Sequence, residues 1–176
     1  MTNLLFLTKT CFMKKLLLTT IIVFFSVCFY GIQGQTTQPQ LNQQELWKQT
    51  IGTWQAETGK DTLEIWDYRL YGEAFIINVD MVIKGKKTPL YMNNMGFNSN
   101  QGKFYGFALY PSGSTITWIG SYVSDKKFKG ELSAYYNPES VWGKFEFNFD
   151  SPTTFNLHFF NMEGNLTNEL KFKKIK

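Results

Sequence analysis

The chain has 176 residues and a formal net charge of +4, but from Gln35 onward it carries 15 basic and 14 acidic side chains, because three lysines lie within the first fifteen residues. This balance argues against nucleic-acid binding, which needs a concentrated basic surface. Both cysteines also precede Gln35 and His158 is the only histidine, which excludes Cys/His zinc sites, thiol nucleophiles and disulfide scaffolds from the rest of the chain.

The first 34 residues have the pattern of a secretory signal peptide. Lys14 and Lys15 precede the uncharged, mostly apolar stretch 16–30, and the small residue Gly34 follows. This stretch is shorter than the ~20 residues that a membrane-spanning helix needs, so we expect no transmembrane segment after signal removal. We expect translation from Met1 or Met13, cleavage after Gly34, and a soluble periplasmic or secreted protein. Lipid attachment at Cys28 is the alternative.

One domain follows the signal peptide. Residues 35–44 are polar and glutamine-rich and are predicted to form a flexible leader. The remaining residues, 45–176, suit a single domain and show no second shift in composition. Across the start of this domain, residues 41–50 favour one short helix, with Leu46 and Trp47 as its apolar contacts.

The domain alternates apolar and polar residues with a period of two. The clearest stretch places Phe145, Phe147 and Phe149 between polar neighbours, as a half-buried antiparallel strand requires. Nine turn signals rich in Gly, Asn, Pro and Asp recur every 9–13 residues. The sequence therefore predicts ten strands, at residues 51–57, 62–70, 73–84, 88–98, 103–110, 114–123, 127–136, 141–149, 153–162 and 166–174.

Ten strands joined by short turns favour a closed barrel. An open sheet of this length leaves two unpaired edges, and closure removes them. We therefore predict an all-β fold, an antiparallel up-and-down barrel with a short N-terminal helix. A barrel of about eight to ten strands has room for a small ligand. A β-sandwich is the alternative, but it needs longer connections than these turns provide.

Three features resemble known sequence patterns. Gly52-x-Trp54, at the start of the first strand, resembles the opening motif of lipocalins and related calycins. The segment 95–105 (MGFNSNQGKFY) resembles the central hairpin of the DUF1579 family of exported bacterial domains, and the hairpin spacing that follows, through to Lys173-Lys174, is also similar. The resemblance covers about residues 45–176.

The resemblance implies a lipocalin-like barrel in which Trp54 closes one end, and it leaves the function open. The chain departs from the DUF1579 pattern at three places. Phe97 and Asn98 replace the usual Tyr and Asp, and lysine replaces the usual arginine near the end of the last strand.

The aromatic residues supply the candidate binding residues. Apolar and aromatic walls with few polar groups are typical of small-molecule pockets, but they are also typical of a filled core. Trp54 either lines a cavity or packs as the plug of the barrel, and the calycin motif favours the plug. The other inner candidates are Trp66, Phe75, Phe107, Trp118, Tyr122, Tyr136 and Trp142.

Arg69 is the only arginine in the chain. Inside a small barrel an arginine can bind a carboxylate through two hydrogen bonds, as in the fatty-acid carriers that this fold resembles. The alternative is a surface arginine paired with Asp67. Neither face of this strand is cleanly apolar, so the sequence leaves the orientation of Arg69 open.

His158 is the only residue that could ligate haem through an imidazole, as in nitrobindin-type barrels, which resemble this architecture. If Phe155 and Leu157 face the core, His158 faces solvent. No Gly-x-Ser-x-Gly motif, phosphate loop or metal-binding motif occurs, so we predict no catalytic residues, no metal and no cofactor.

Three hypotheses follow from the sequence. The first is an exported barrel that binds a small hydrophobic or amphipathic molecule, with Arg69 as its orienting group. The second is a filled barrel that acts through its surface as a structural or interaction module of the cell envelope. The haem protein is a third, less favoured reading, and no enzymatic activity is predicted.

Overall fold

The computed structural model describes residues 41–135 and 137–176, which form one short helix and ten strands. The elements are α1 (Gln43–Lys48), β1 (Gly52–Gly59), β2 (Thr62–Tyr71), β3 (Ala74–Ile83), β4 (Lys86–Asn98), β5 (Lys103–Leu109), β6 (Thr115–Ser124), β7 (Lys127–Ala134), β8 (Asn137–Ser151), β9 (Thr154–Phe160) and β10 (Leu166–Lys174).

The strands close into a single antiparallel barrel in which each strand pairs with its sequence neighbours. β10 returns to β1, and the two strands pair over Trp54–Ala56. Every connection between the described strands is a short turn, so no connection crosses an end of the barrel. Closure leaves the sheet without an unpaired edge. The predicted fold, an up-and-down barrel of ten strands with a short N-terminal helix, is confirmed.

The two ends of the barrel differ. The helix end carries α1 together with the β2–β3, β4–β5, β6–β7 and β8–β9 turns. The open end carries the other five turns. In the described part of the chain, no helix has the length and apolar character that crossing a bilayer requires.

α1 closes the helix end. The Asn42 side chain accepts a hydrogen bond from the Glu45 backbone N–H at 3.2 Å and so caps the helix. The Gln43 side chain then holds the helix to β6, because it donates to the Tyr122 carbonyl at 3.0 Å and accepts from the Tyr122 N–H at 2.7 Å. Leu41 also packs against the core, so residues 41–44 belong to the barrel domain and not to the flexible leader predicted for them.

Trp47 carries the contact between the helix and the barrel. Its side chain is 1 % exposed, and its ring meets Phe104 at 5.2 Å and Phe128 at 4.6 Å between ring centroids. Further rings surround it, those of Phe75, Trp118, Tyr122 and Phe147. The helix end of the barrel is therefore filled by a cluster of aromatic side chains.

Candidate ligand-binding cavity

A cavity of about 380 Å³ occupies the open half of the barrel. Trp47, Phe147 and Leu157 line it toward the helix end, so the aromatic cluster forms its floor. The other lining residues come from most strands of the barrel: Trp66, Ile77, Tyr91, Asn93, Ala108, Tyr110, Ile116, Trp118, Leu132, Trp142, Phe145, Phe159, Phe160, Thr167 and Asn168. The volume and the aromatic lining are typical of a small-molecule pocket.

Two β-bulges shape the mouth of the cavity. In the β7–β8 ladder, Leu132 pairs with Gly143 and Ser133 with Val141, which leaves Trp142 as the extra residue of a bulge. Because Gly143 faces inward, regular alternation would turn its neighbour Trp142 outward. Trp142 nevertheless lines the cavity, and its side chain is 49 % exposed. Thr167 is the corresponding extra residue on β10, and it lines the cavity too. Both bulges thus add a side chain to the mouth.

The polar groups of the cavity are few and uncharged. The Trp118 indole N–H donates to Asn93 Oδ1 at 3.2 Å, which orients both side chains. The Trp47 indole nitrogen is buried and has no hydrogen-bond partner among the described residues. Burial, with a smaller contribution from the Glu64 charge, raises the pKa of Tyr91 well above its usual value, and the pKa of Tyr110 in the same sense. Both phenols therefore stay protonated at neutral pH and can donate a hydrogen bond.

Glu64 is a buried carboxyl next to the cavity residue Trp66. It lies on the inner face of β2 and is 7 % exposed. Trp66, a wall residue, donates its indole N–H to Glu64 Oε1 at 2.6 Å. Burial raises the pKa of the Glu64 carboxyl, and the Trp66 hydrogen bond offsets part of that rise because it stabilises the carboxylate. Glu64 makes no ion pair with the described residues.

The predicted pocket residues divide into four groups. Trp66, Trp118 and Trp142 line the cavity. Phe75 and Tyr122 are buried, but they belong to the aromatic cluster at the helix end. The prediction for Phe107 is wrong, because Phe104 and Ala108 take the inner face of β5 and Phe107 stands outside, 5.3 Å from the Tyr135 ring. Tyr136 lies outside the described residues.

Trp54 packs near the helix end and does not line the cavity. It is fully buried, its indole N–H donates to the Thr50 carbonyl at 2.6 Å, and its ring lies 4.8 Å from that of Phe155. At the helix end, Lys174 Nζ sits 5.2 Å from the ring centroid. These contacts are those of a packing residue, the role that the Gly-x-Trp resemblance implied.

Arg69 does not reach the cavity. The rings of Trp66 and Tyr68 take the inner face of β2, so Arg69, which has the opposite parity, is exposed on the outer face. There it donates from Nε to Asp67 Oδ2 at 2.6 Å, and the two side chains form an ion pair. The prediction that Arg69 orients a ligand is therefore wrong, and the surface pairing with Asp67 is what the structure contains.

His158 also stands outside the barrel. Phe155 and Leu157 are buried on the inner face of β9, which turns His158 outward. Its ring is held between Glu169 Oε1, 3.0 Å from Nε2, and the Asn148 side chain, 3.1 Å from Nδ1. A haem inside the barrel cannot be ligated from this position, so the haem reading through His158 is wrong. The described residues contain no cluster of acidic and histidine side chains that could hold a metal ion.

Several cavity residues were missing from the sequence-based set. Tyr91, Asn93 and Tyr110 follow from the inward parity of β4 and the end of β5, but β4 carries a bulge at Leu90 that shifts its alternation. The period-two alternation of β2 places Glu64 on the same face as Trp66 and Tyr68, and that alternation is the signal that could have identified it as a buried carboxyl.

Comparisons with known proteins add little about function. No family model matches the chain and no curated protein matches it, so the resemblance to DUF1579 is not confirmed. Among solved structures, the chain is similar to Rv2717c from M. tuberculosis, with 13 % identity, a TM-score of 0.48, and coverage of 78 % of this chain and 98 % of that one. It is also similar to a redesigned beta barrel, mFAP1, bound to DFHBI, with 15 % identity, a TM-score of 0.32, and coverage of 73 % and 96 %.

Proposed function

We propose that this protein binds a small, largely apolar molecule in the cavity at the open end of the barrel. One observation carries the proposal: a cavity of about 380 Å³ with aromatic walls opens at one end and is floored by Trp47 at the other. A ligand that binds there would remove its apolar surface from contact with water, which is favourable by roughly 25 cal/mol per Å². The few polar groups at the wall would fix its orientation.

The filled-barrel alternative fits only half of the molecule. The aromatic cluster around Trp47 fills the helix end, and a barrel filled throughout would offer a ligand no interior space. The open half has that space, and its lining is apolar where water would be poorly held. These observations favour ligand binding over a purely structural role.

Export is a second part of the proposal. The basic pair Lys14-Lys15 and the apolar stretch 16–30 support a protein that passes through the secretory route. Native mass spectrometry of the chain expressed with residues 1–34 tests both parts together. A mass that begins at Gln35 supports export in soluble form, a lipidated Cys28 contradicts the soluble form, and an uncleaved chain contradicts export. A bound small molecule in the same spectrum supports the carrier.

A pair of matched variants tests the cavity itself. Ala108 faces the cavity and is 6 % exposed, while the next residue, Leu109, faces outward and is 39 % exposed. The uncharged dye N-phenyl-1-naphthylamine, which fluoresces in apolar surroundings, serves as the probe. Ala108→Phe is expected to weaken dye binding by about tenfold or more, because the new ring takes up ligand volume. Leu109→Phe is expected to bind as the wild type does.

Urea unfolding of both variants shows that each is folded before the comparison is made. Failure of the wild-type protein to bind the dye, or equal binding by both variants, would contradict the proposed cavity.

A further inference from the structure

The charges around the cavity indicate which molecules it accepts. All the described residues that line it are uncharged: they are Trp, Tyr, Phe, Leu, Ile, Ala, Asn and Thr. Arg69, which could have neutralised an anion, stands on the outer face and is paired with Asp67. A carboxylate entering this cavity would therefore lose its hydration without gaining a counter-ion, which is strongly unfavourable.

Glu64 is a buried carboxyl on the inner face of β2, and in its charged form it would oppose an anion. Glu64 is bonded at 2.6 Å to the indole of the wall residue Trp66. Glu64 and the wall residue Trp66 share the inner face of β2, so the field of a charged Glu64 is directed into the barrel. In apolar surroundings such a field is weakly screened, so it would repel a second carboxylate.

Two phenol hydroxyls line the cavity, those of Tyr91 and Tyr110. The floor residue Trp47 adds no donor that a ligand can reach, because its indole nitrogen is fully buried. The protonated hydroxyls of Tyr91 and Tyr110 make no hydrogen bond to the described residues, and each can donate. An uncharged oxygen acceptor on a ligand would give these hydroxyls a hydrogen-bond partner, whereas a purely apolar ligand would cover them without providing one.

We propose that the cavity takes uncharged molecules that carry a hydrogen-bond acceptor and rejects carboxylates, with Glu64 as the residue that sets this charge preference. The inference rests on the proposed function, since it names the ligand class of the same cavity. It separates this barrel from carriers of fatty-acid anions, which hold their ligand with an internal arginine, the role that the sequence had suggested for Arg69.

Three naphthalenes of matched size test the inference. 2-Acetylnaphthalene carries an uncharged acceptor, 2-ethylnaphthalene has none, and 2-naphthoate is an anion at neutral pH. Quenching of tryptophan fluorescence gives the dissociation constant of each. The ketone is expected to bind most tightly, and naphthoate to bind about tenfold or more weakly than the ketone, because its charge is desolvated without a partner.

Two pairs of variants assign the effect to residues. Glu64→Gln keeps the acceptor for the Trp66 N–H and removes the charge. The affinity for the ketone relative to the affinity for naphthoate is therefore expected to fall about tenfold. Glu57→Gln, an exposed residue on the outer face of β1, makes the same change of net charge and is expected to leave the ratio unaltered. Tyr91→Phe, which removes a hydroxyl from the cavity lining, should reduce the preference for the ketone over the ethyl compound, whereas Tyr105→Phe, at an exposed position on the outer face of β5, should not.

The outcomes are distinguishable. Wild-type protein that binds naphthoate as tightly as the ketone overturns the inference and leaves the carrier proposal standing. An unchanged ratio in folded Glu64→Gln overturns the role of Glu64. Binding of none of the three compounds overturns the proposed function itself. If Glu64→Gln does not fold, the wild-type series still decides the charge preference.

Discussion

At the scale of single residues, the size of the aromatic rings on β2 decides which face of this strand points into the barrel. Both faces of this strand carry apolar residues and a charge, so parity alone does not choose between them. Trp66 and Tyr68 fill more of a barrel interior than Leu63 and Ile65 do. Glu64 lies on the same face as these two rings and is therefore buried as well. The ionisable side chain of β2 that lies inside the barrel is thus the carboxyl of Glu64, where the sequence had suggested Arg69.

The burial of Glu64 has a consequence for stability. The pKa of the folded carboxyl lies above the ordinary value of 4.5, so the folded chain keeps this proton to a higher pH than the unfolded chain does. Stability from this group is therefore lost as the pH rises from 4.5 through the folded pKa. Glu64→Gln removes that loss. The free energy of unfolding of the variant, relative to wild type, is expected to rise with pH across this window and then level off.

Urea unfolding at a series of pH values between about 4 and 8 measures this difference. Glu57→Gln is the control, because its side chain is exposed and should give a pH profile parallel to that of the wild type. A Glu64→Gln profile that is also parallel would show that the carboxyl has the same pKa in the folded and unfolded chains.

At the scale of elements, glycines let neighbouring strands carry large rings. Gly106, Gly120 and Gly130 lie on β5, β6 and β7, and rings from the adjacent strand cover each of them. A Cβ at Gly106 would lie 1.9 Å from the ring of Trp118, its cross-strand partner. These glycines therefore provide the space in which the aromatic walls of the cavity pack, a use of glycine that side-chain volume alone explains.

Gly106→Ala is expected to destabilise the protein by about 1–3 kcal/mol, because the Trp118 ring must leave its place. Gly96→Ala on β4 is the matched control, since a Cβ there meets nothing within 4 Å and its φ is not positive. That variant is expected to be neutral or more stable by about 0.4–1 kcal/mol, through the unfolded state. Urea unfolding distinguishes them, and equal stabilities would mean that Trp118 moves aside without cost.

The elements themselves were predictable, whereas their irregularities were not. Alternation and turn residues placed all ten strands to within a few residues, because each half-buried strand must repeat its apolar residues with a period of two. A bulge interrupts that period at one residue and leaves no sequence signal of its own. Trp142 reaches the cavity through such a bulge, while Phe107, on a strand that runs straight, stays outside.

At the scale of the whole molecule, the barrel is filled at the helix end and hollow in its open half. The aromatic residues that fill the helix end and those that line the cavity are the same residue types, so composition could not tell the two states apart. What separates them is α1, which inserts Trp47 from one end only. The site is thus a product of how far one helix reaches into the barrel.

The closure of the barrel is weakest where its ends meet. β1 and β10 pair only over Trp54–Ala56, whereas β2 and β3 pair along their full length. The last two residues extend this seam through the backbone. Thr53 N–H donates to the Lys176 carbonyl at 2.9 Å, and Ile175 N–H donates to the Thr53 carbonyl at 2.8 Å. The approach is so close that a Cβ at Gly52 would lie 2.4 Å from the Lys176 carbonyl oxygen.

Removal of Ile175 and Lys176 loses three backbone hydrogen bonds to Thr53. It is therefore expected to lower the free energy of unfolding by about 1.5–4.5 kcal/mol, at about 0.5–1.5 kcal/mol for each lost hydrogen bond. Amide exchange should accelerate first in β1 and β10, because local opening begins where pairing is shortest. The double variant Ile175→Ala, Lys176→Ala keeps the backbone hydrogen bonds and loses only exposed side chains, so it should resemble the wild type in both measurements. Equal damage in the two proteins would assign the seam to those side chains, and exchange that accelerated uniformly around the barrel would show that all ten strands open as one unit.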